Sequence, residues 1–127
     1  MKKLLLVLSV ISIIVTSSFA NDARMSVENG FEKGDATIVS EAMADRLFMV
    51  AYPLRRSLQK NEAVQELSKF FKTNPPKSFT VLHDNSQGGV IYMICKYETT
   101  KQSFRIHVLI DADGENEKIS QIRIEEL

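Results

Sequence analysis

From Val90 to the C-terminus lie three long strand-like stretches, Val90 to Glu98, Ser103 to Ile110 and Ile119 to Glu126, and in the last two apolar residues fall on alternate positions. That period belongs to β-strands, whose successive side chains point to opposite faces. In the middle stretch Phe104, Ile106, Val108 and Ile110 share one face, and Arg105, His107 and Leu109 share the other. In the last, Ile122 and Ile124 are the matching apolar set, with Gln121, Arg123 and Glu125 opposite. A one-residue slip would set Arg123 beside Ile106, so burial of one face dictates the register. The first stretch differs, because it is apolar on both sides. Met93, Cys95 and Tyr97 join the Phe104 face, while Val90, Tyr92, Ile94 and Lys96 join the His107 face. A strand of this kind needs cover on both sides. Helices from the rest of the chain are the expected cover for one. A second copy is the expected cover for part of the other, with Val90, Tyr92, Ile94 and Leu109 as the face of a homodimer.

Three helical stretches precede these strands. Ala23, Val27 and Phe31 recur at four-residue steps between Asp22 and Lys33, one stripe of a helix. Gly34 suits the end of that helix and Asp35 the cap of the next, which the pattern of Ala36, Val39 and Met43 extends to about Asp45. In the third, Asn61 is the expected cap, Glu62 favours the positive helix start, and Ala63, Val64, Leu67, Phe70 and Phe71 form the apolar stripe. Pro75-Pro76 stop it, since residues before proline avoid helical angles. Leu47 to Tyr52, Leu54 to Leu58 and Ser78 to His83 complete the expected strands, with turns at 85–89, 99–102 and 111–118. The expectation is a single α+β domain over residues 21–127.

Residues 1–20 read as a signal peptide. Lys2 and Lys3 precede an apolar run, Leu4 to Val15, and Ser18-Phe19-Ala20 places small residues where a signal peptidase cuts, between Ala20 and Asn21. The rival is an uncleaved anchor, but the run is shorter than the roughly 20 apolar residues of a spanning helix. The chain is thus expected to be exported, periplasmic or secreted, with no stable membrane insertion after cleavage. Removing Lys2 and Lys3 from 16 basic residues leaves 14 against 16 acidic ones, a formal charge of −2. Nothing there supplies the basic face that nucleic acid requires. Cys95 is the only cysteine, so no internal disulfide is expected. It reads as a small buried hydrophobe; a reactive thiol would need an electropositive, partly exposed setting.

Few residues offer chemistry. His107 shares a face with Arg105 and Arg123, and a histidine among charges can serve as a general base; it is the one weak catalytic candidate. The plainer reading is an outer sheet face with ordinary cross-strand pairs. His83 is expected at a strand end, exposed, and a metal site would need both histidines plus a carboxylate. The loop "DADGENE" resembles a calcium loop, but the position twelve along from Asp111 is Ile122 rather than glutamate. No metal and no cofactor are expected. Asp84, Asp111 and Asp113 are placed at strand ends or turns and Asp45 at a helix end, so no aspartate is expected inside a strand. Phe70 and Phe71 either line a pocket or are plain core.

The order of helix, Gly34-Asp35-Ala36, helix, strand, third helix and strand meander resembles the nuclear-transport-factor-like superfamily, which includes the SnoaL-like and ketosteroid-isomerase-like proteins. "FFKTNPPKSF", with "FRIHVLI" and "ISQIRIEEL", resembles a narrower group of small exported bacterial domains of unknown function. The resemblance spans Asp22 to Leu127. It implies a cystatin-like α+β fold: a strongly curved antiparallel sheet around three helices, cone-shaped, often dimerising through the sheet. The cone interior would be the pocket, lined by Phe48, Phe70, Phe71, Met93, Phe104, Ile106 and Ile122. Enzymatic relatives use an aspartate or histidine reaching into the cone, and no aspartate here matches. Two functions stay open. One is a non-enzymatic domain binding a small apolar ligand or a protein partner. The other is a SnoaL-type isomerase or dehydratase with a histidine or aspartate base.

Overall fold

The computed structural model describes residues 22–114 and 116–127. The leader expected at 1–20 lies outside them. Helices α1 (Ala23–Lys33) and α2 (Ala36–Ser40) come first, then the hairpin β1 (Met43–Ala51) and β2 (Leu54–Gln59) and helix α3 (Lys60–Thr73). Strands β3 (Ser78–Gln87), β4 (Val90–Glu98), β5 (Ser103–Asp111) and β6 (Lys118–Glu126) follow. The six strands form one curved, unclosed sheet in the order β2-β1-β6-β5-β4-β3. Neighbours are antiparallel except β1 and β6, which run parallel. That join is the one departure from the all-antiparallel sheet the resemblance implies. It brings the last strand back beside the first.

The register is the one demanded by alternation. Cys95 lies opposite Ile106 and Ile106 opposite Ile124, while Ile94, His107 and Arg123 form the adjacent row. All three helices pack on the face that carries Cys95 and Ile106, and the interior there is apolar throughout. Its wider part is an aromatic cluster. The Phe31 ring lies 5.3 Å from those of both Phe71 and Phe79 and 6.2 Å from Tyr97. The stretch running into and out of Pro75-Pro76 therefore contributes Phe70, Phe71 and Phe79 to one packed centre. It also rests on the α1–α2 corner. Gly34 adopts φ 66°, and a β-carbon there would stand 2.9 Å from Pro76 Cδ. A side chain is thus unfavourable on two counts.

Several boundaries differ from those expected. Helix α2 has one and a half turns rather than extending to Asp45. Its Asp35 cap is as expected, the carboxylate accepting from Thr37 N at 2.9 Å. Strand β1 then begins at Met43, because Met43 pairs with Ile119 and Ile119 N donates to the Ala42 carbonyl. The spacing of Ala36, Val39 and Met43 survives as a shared buried side, but the sheet takes the last of the three. Asp45 accordingly lies within a strand. So does Asp84, because β3 runs on to Gln87 and turns at Gly88-Gly89. His83 is therefore inside β3, next to a bulge, rather than at its end. Helix α3 starts one residue before the expected cap. Gln59 is the N-cap, and its N–H donates to Glu62 Oε1 at 3.0 Å, half of a capping box.

Candidate functional site

The interior between helices and sheet is filled by packed side chains, and its accessible mouth is at the end where α3 stops. A cleft of about 590 Å³ lies there. Phe70, Phe104 and Ile124 line its apolar part, and Val50 and Tyr52 form the side contributed by the β1–β2 corner. Tyr52 is 95% exposed. Phe70 and Phe104 meet almost edge to face, their centroids 5.0 Å apart. Phe70 is held because the helix end is held. Asn74 N and Nδ2 both donate to the Phe70 carbonyl, at 2.8 and 3.2 Å, and the buried Tyr97 hydroxyl donates to the Asn74 carbonyl. Burial pushes the Tyr97 phenol pKa up, so it remains a donor. The rim is polar: Thr73, Asn74 and Gln102 on one side, Glu125 and Glu126 on the other.

The expected pocket residues separate into three groups. Phe71, Met93, Ile106 and Ile122 are buried in the interior, as is most of Phe104. They make the cone solid rather than lining a void. Phe70 is half-buried and, with the accessible edge of Phe104, faces the mouth. Phe48 is elsewhere. Leu47 and Met49 take the helix-covered side of β1, and alternation sends Phe48 to the opposite face, across from Ser57 and Gln121. There the Arg55 guanidinium stands 5.8 Å from its ring centroid.

That opposite face carries no helix. Val90, Tyr92, Ile94 and Leu109 lie on it together, Tyr92 directly opposite Leu109. His107 is there too, its Nδ1 2.6 Å from the Tyr92 hydroxyl and its Nε2 3.9 Å from Glu125 Oε2. Burial lowers the His107 pKa below the ordinary histidine value, and Arg123 and Arg105 lower it further against the opposing pull of Glu125. Arg123 reaches Glu125 at 3.5 Å, and its Nε is buried without a hydrogen-bond partner. His107 does not line the mouth cleft. His83 is exposed on the same open face, separated from His107 by Ile94.

The remaining candidates have structural roles. Cys95 is buried, and loss of solvent, with Glu28 and Asp84 nearby, pushes its thiol up to about 12; it stays protonated. Asp84 points to the covered side and pairs with Arg24 of α1 at 2.9 Å. In the acidic loop Glu115 lies outside the described residues, and the Glu117 carboxylate accepts the Ala23 N–H at 3.1 Å. It thereby serves a helix start that Asp22 leaves uncapped. Among the described residues no three metal-binding side chains converge. No helix there is long and apolar enough to cross a membrane. Sequence reasoning missed Glu126, whose parity with Ile124 and Ile122 was available, and Tyr52 and Asn74, which enter the cleft only through the meeting of distant elements.

A family model described as "Domain of unknown function (DUF4783)" matches residues 25–125. The chain belongs to this family. No curated protein matches it. Among solved structures, a DUF4783 family protein from Bacteroides ovatus is 24% identical, with a TM-score of 0.76 over 80% of this chain and 93% of that one. Another from Bacteroides fragilis is 24% identical, with a TM-score of 0.75 over 80% and 96%. An NTF2-like protein of unknown function from Shewanella baltica is 11% identical, with a TM-score of 0.63 over 83% and 88%. This DUF4783 domain therefore has the NTF2-like fold, the nuclear-transport-factor-like architecture that its "FFKTNPPKSF" stretch suggests.

Proposed function

We propose that this DUF4783 domain is a non-enzymatic binding module that holds a small apolar ligand in the cleft at the cone mouth. The observation that carries the reading is the contrast between a filled interior and an apolar mouth. Among the described residues the buried interior has no charged side chain to act as acid or base. Val50, Tyr52 and Phe70 still offer apolar surface at the opening, with Phe104 and Ile124 packed beneath it, of the kind that binding sites use. The position of His107 on the open face favours binding over a SnoaL-type reaction, which would need its base inside the cone. Export, with cleavage near Ala20, belongs to the same proposal, and N-terminal sequencing of the protein from its host tests that part.

A neutral polarity-sensitive dye such as Nile red tests the cleft. Saturable brightening is expected with the native protein. Thr73→Trp, which alters only an exposed rim position, should weaken binding by about tenfold by occupying the space. Absence of saturable brightening, or unchanged binding by the variant, would remove the cleft as the site.

The open face supports a second, compatible reading, a homodimer. Val90, Tyr92, Ile94 and Leu109 form adjoining apolar surface without a helix over it. Light scattering at high micromolar concentration should give twice the chain mass, and Tyr92→Glu should halve it. A strict monomer, or a variant of unchanged mass, would sink this reading.

A further inference from the structure

We infer that the mouth cleft selects positively charged apolar ligands, a protonated amine or quaternary ammonium on an apolar body. This inference rests on the cleft being the binding site, and it adds the charge of the ligand. The charged side chains lining the cleft are Glu125 and Glu126, with no lysine or arginine among its lining. The two glutamates are not equivalent. Glu125 is engaged on the open face, 3.5 Å from Arg123 and 3.9 Å from His107. Glu126 lies directly opposite Phe104 in the β5–β6 ladder. Directly opposed residues of an antiparallel pair point to the same side, so its carboxylate belongs to the side of Phe104 and Ile124 rather than that of His107. No basic side chain stands within 4 Å of it among the described residues.

The rest of the lining has the same preference. The half-buried Phe70 and the exposed Tyr52 present aromatic rings, whose faces attract cations. At the rim, Gln102 Nε2 donates to Asn74 Oδ1 at 3.4 Å, which leaves the side-chain oxygen Oε1 of Gln102 as an acceptor for an ammonium N–H. A ligand carboxylate would meet Glu126 instead, with no cation in the lining to offset the repulsion. A neutral ligand would gain the apolar contacts and leave Glu126 in water. The expected order is cation, then neutral, then anion.

Displacement of Nile red by decylamine, decanol and decanoate tests this at low ionic strength and neutral pH, because the three share one tail and differ in charge. Decylamine should bind roughly two- to fivefold more tightly than decanol, the size of one partly exposed charge contact. Decanoate should bind most weakly, and added salt should compress the range. Glu126→Gln should remove most of the advantage of decylamine over decanol while decanol is unchanged. Glu126→Lys should reverse the order of amine and acid. Glu126 is exposed, so neither variant disturbs the core. Equal binding of all three compounds, or a preference that Glu126→Gln leaves undiminished, would overturn charge selection by Glu126 and leave the cleft reading standing. If no compound displaces the dye, or the dye does not bind, the cleft reading falls and this inference with it.

Discussion

The two faces of the sheet come from the same strands at alternate positions, yet they are different materials. On the covered face, Met93, Cys95, Ile106, Val108 and Ile122 are sealed from solvent under the helices. On the open face, one residue along in each strand, Tyr92, Ile94 and Leu109 sit half-exposed among His107, Arg123 and Glu125. The covered face contributes chiefly to stability, because close-packed interiors resist any change of volume. The open face and the cone mouth are where substitutions can be made without unfolding the chain. At the mouth the covered face itself runs out into solvent: Phe104 and Glu126 are opposed in one ladder on the same side, one largely packed and the other in water.

The sharpest way to break this comparison is to empty the covered side. Phe31 is fully buried and touches Phe71, Phe79 and Tyr97. Phe31→Ala should cost about 3–5 kcal/mol in urea unfolding. Leu109→Ser on the open face should cost less than about 1 kcal/mol when measured on the monomer. Equal losses would mean that the open face is also sealed. Next in size is the joint between α1 and α2. A β-carbon on Gly30 would stand 2.2 Å from Val39 Cγ2 and 2.9 Å from the Val39 backbone nitrogen. Gly30→Ala should therefore lower stability by about 1–3 kcal/mol, despite the better helix propensity of alanine. A stabilised variant would show that the corner yields.

The smallest expected effect sharpens the open side. The His107 pKa lies below its ordinary value of 6.5 because burial outweighs Glu125 and is reinforced by Arg123 and Arg105. The folded state thus favours the neutral ring, and the unfolded chain takes up a proton first as pH falls. This contribution to stability is fully present above about 6.5 and is lost as pH drops through the lowered folded value. Chemical denaturation from pH 8 to pH 5 should show the decline, and His107→Gln should reduce it. A native profile matched by the variant would place the titration elsewhere. The Tyr92 hydroxyl shares a hydrogen bond with His107 Nδ1, so Tyr92→Phe should weaken the same dependence less.

Much of this was legible in residue order, and the failures have a common form. Strand parity placed Cys95 with Ile106 and Ile124, and His107 with Arg123, because side-chain period and burial leave one register. Pro75-Pro76 and Gly34-Asp35 marked their boundaries through backbone chemistry alone. Met43 and Asp45 were assigned to a helix because local spacing cannot see Ile119, the distant residue whose ladder draws Met43 into a strand. Phe48 was counted in the pocket because an unbroken apolar run hides parity, which only the burial of Leu47 and Met49 reveals. Asn74 carries no local sign that its carbonyl will receive the Tyr97 hydroxyl.

The sequence by itself determined most of the element types, the register of the long strands and the α+β class, since these follow from interactions between near neighbours or from a repeated period, and the family through the resemblance of its "FFKTNPPKSF" stretch. Only the tertiary structure decided that the cone is filled and its mouth left open, that Glu126 stands on the Phe104 side, and that Glu117 caps a helix some ninety residues before it. These depend on which distant surfaces meet, a matter of three-dimensional packing that no local pattern encodes.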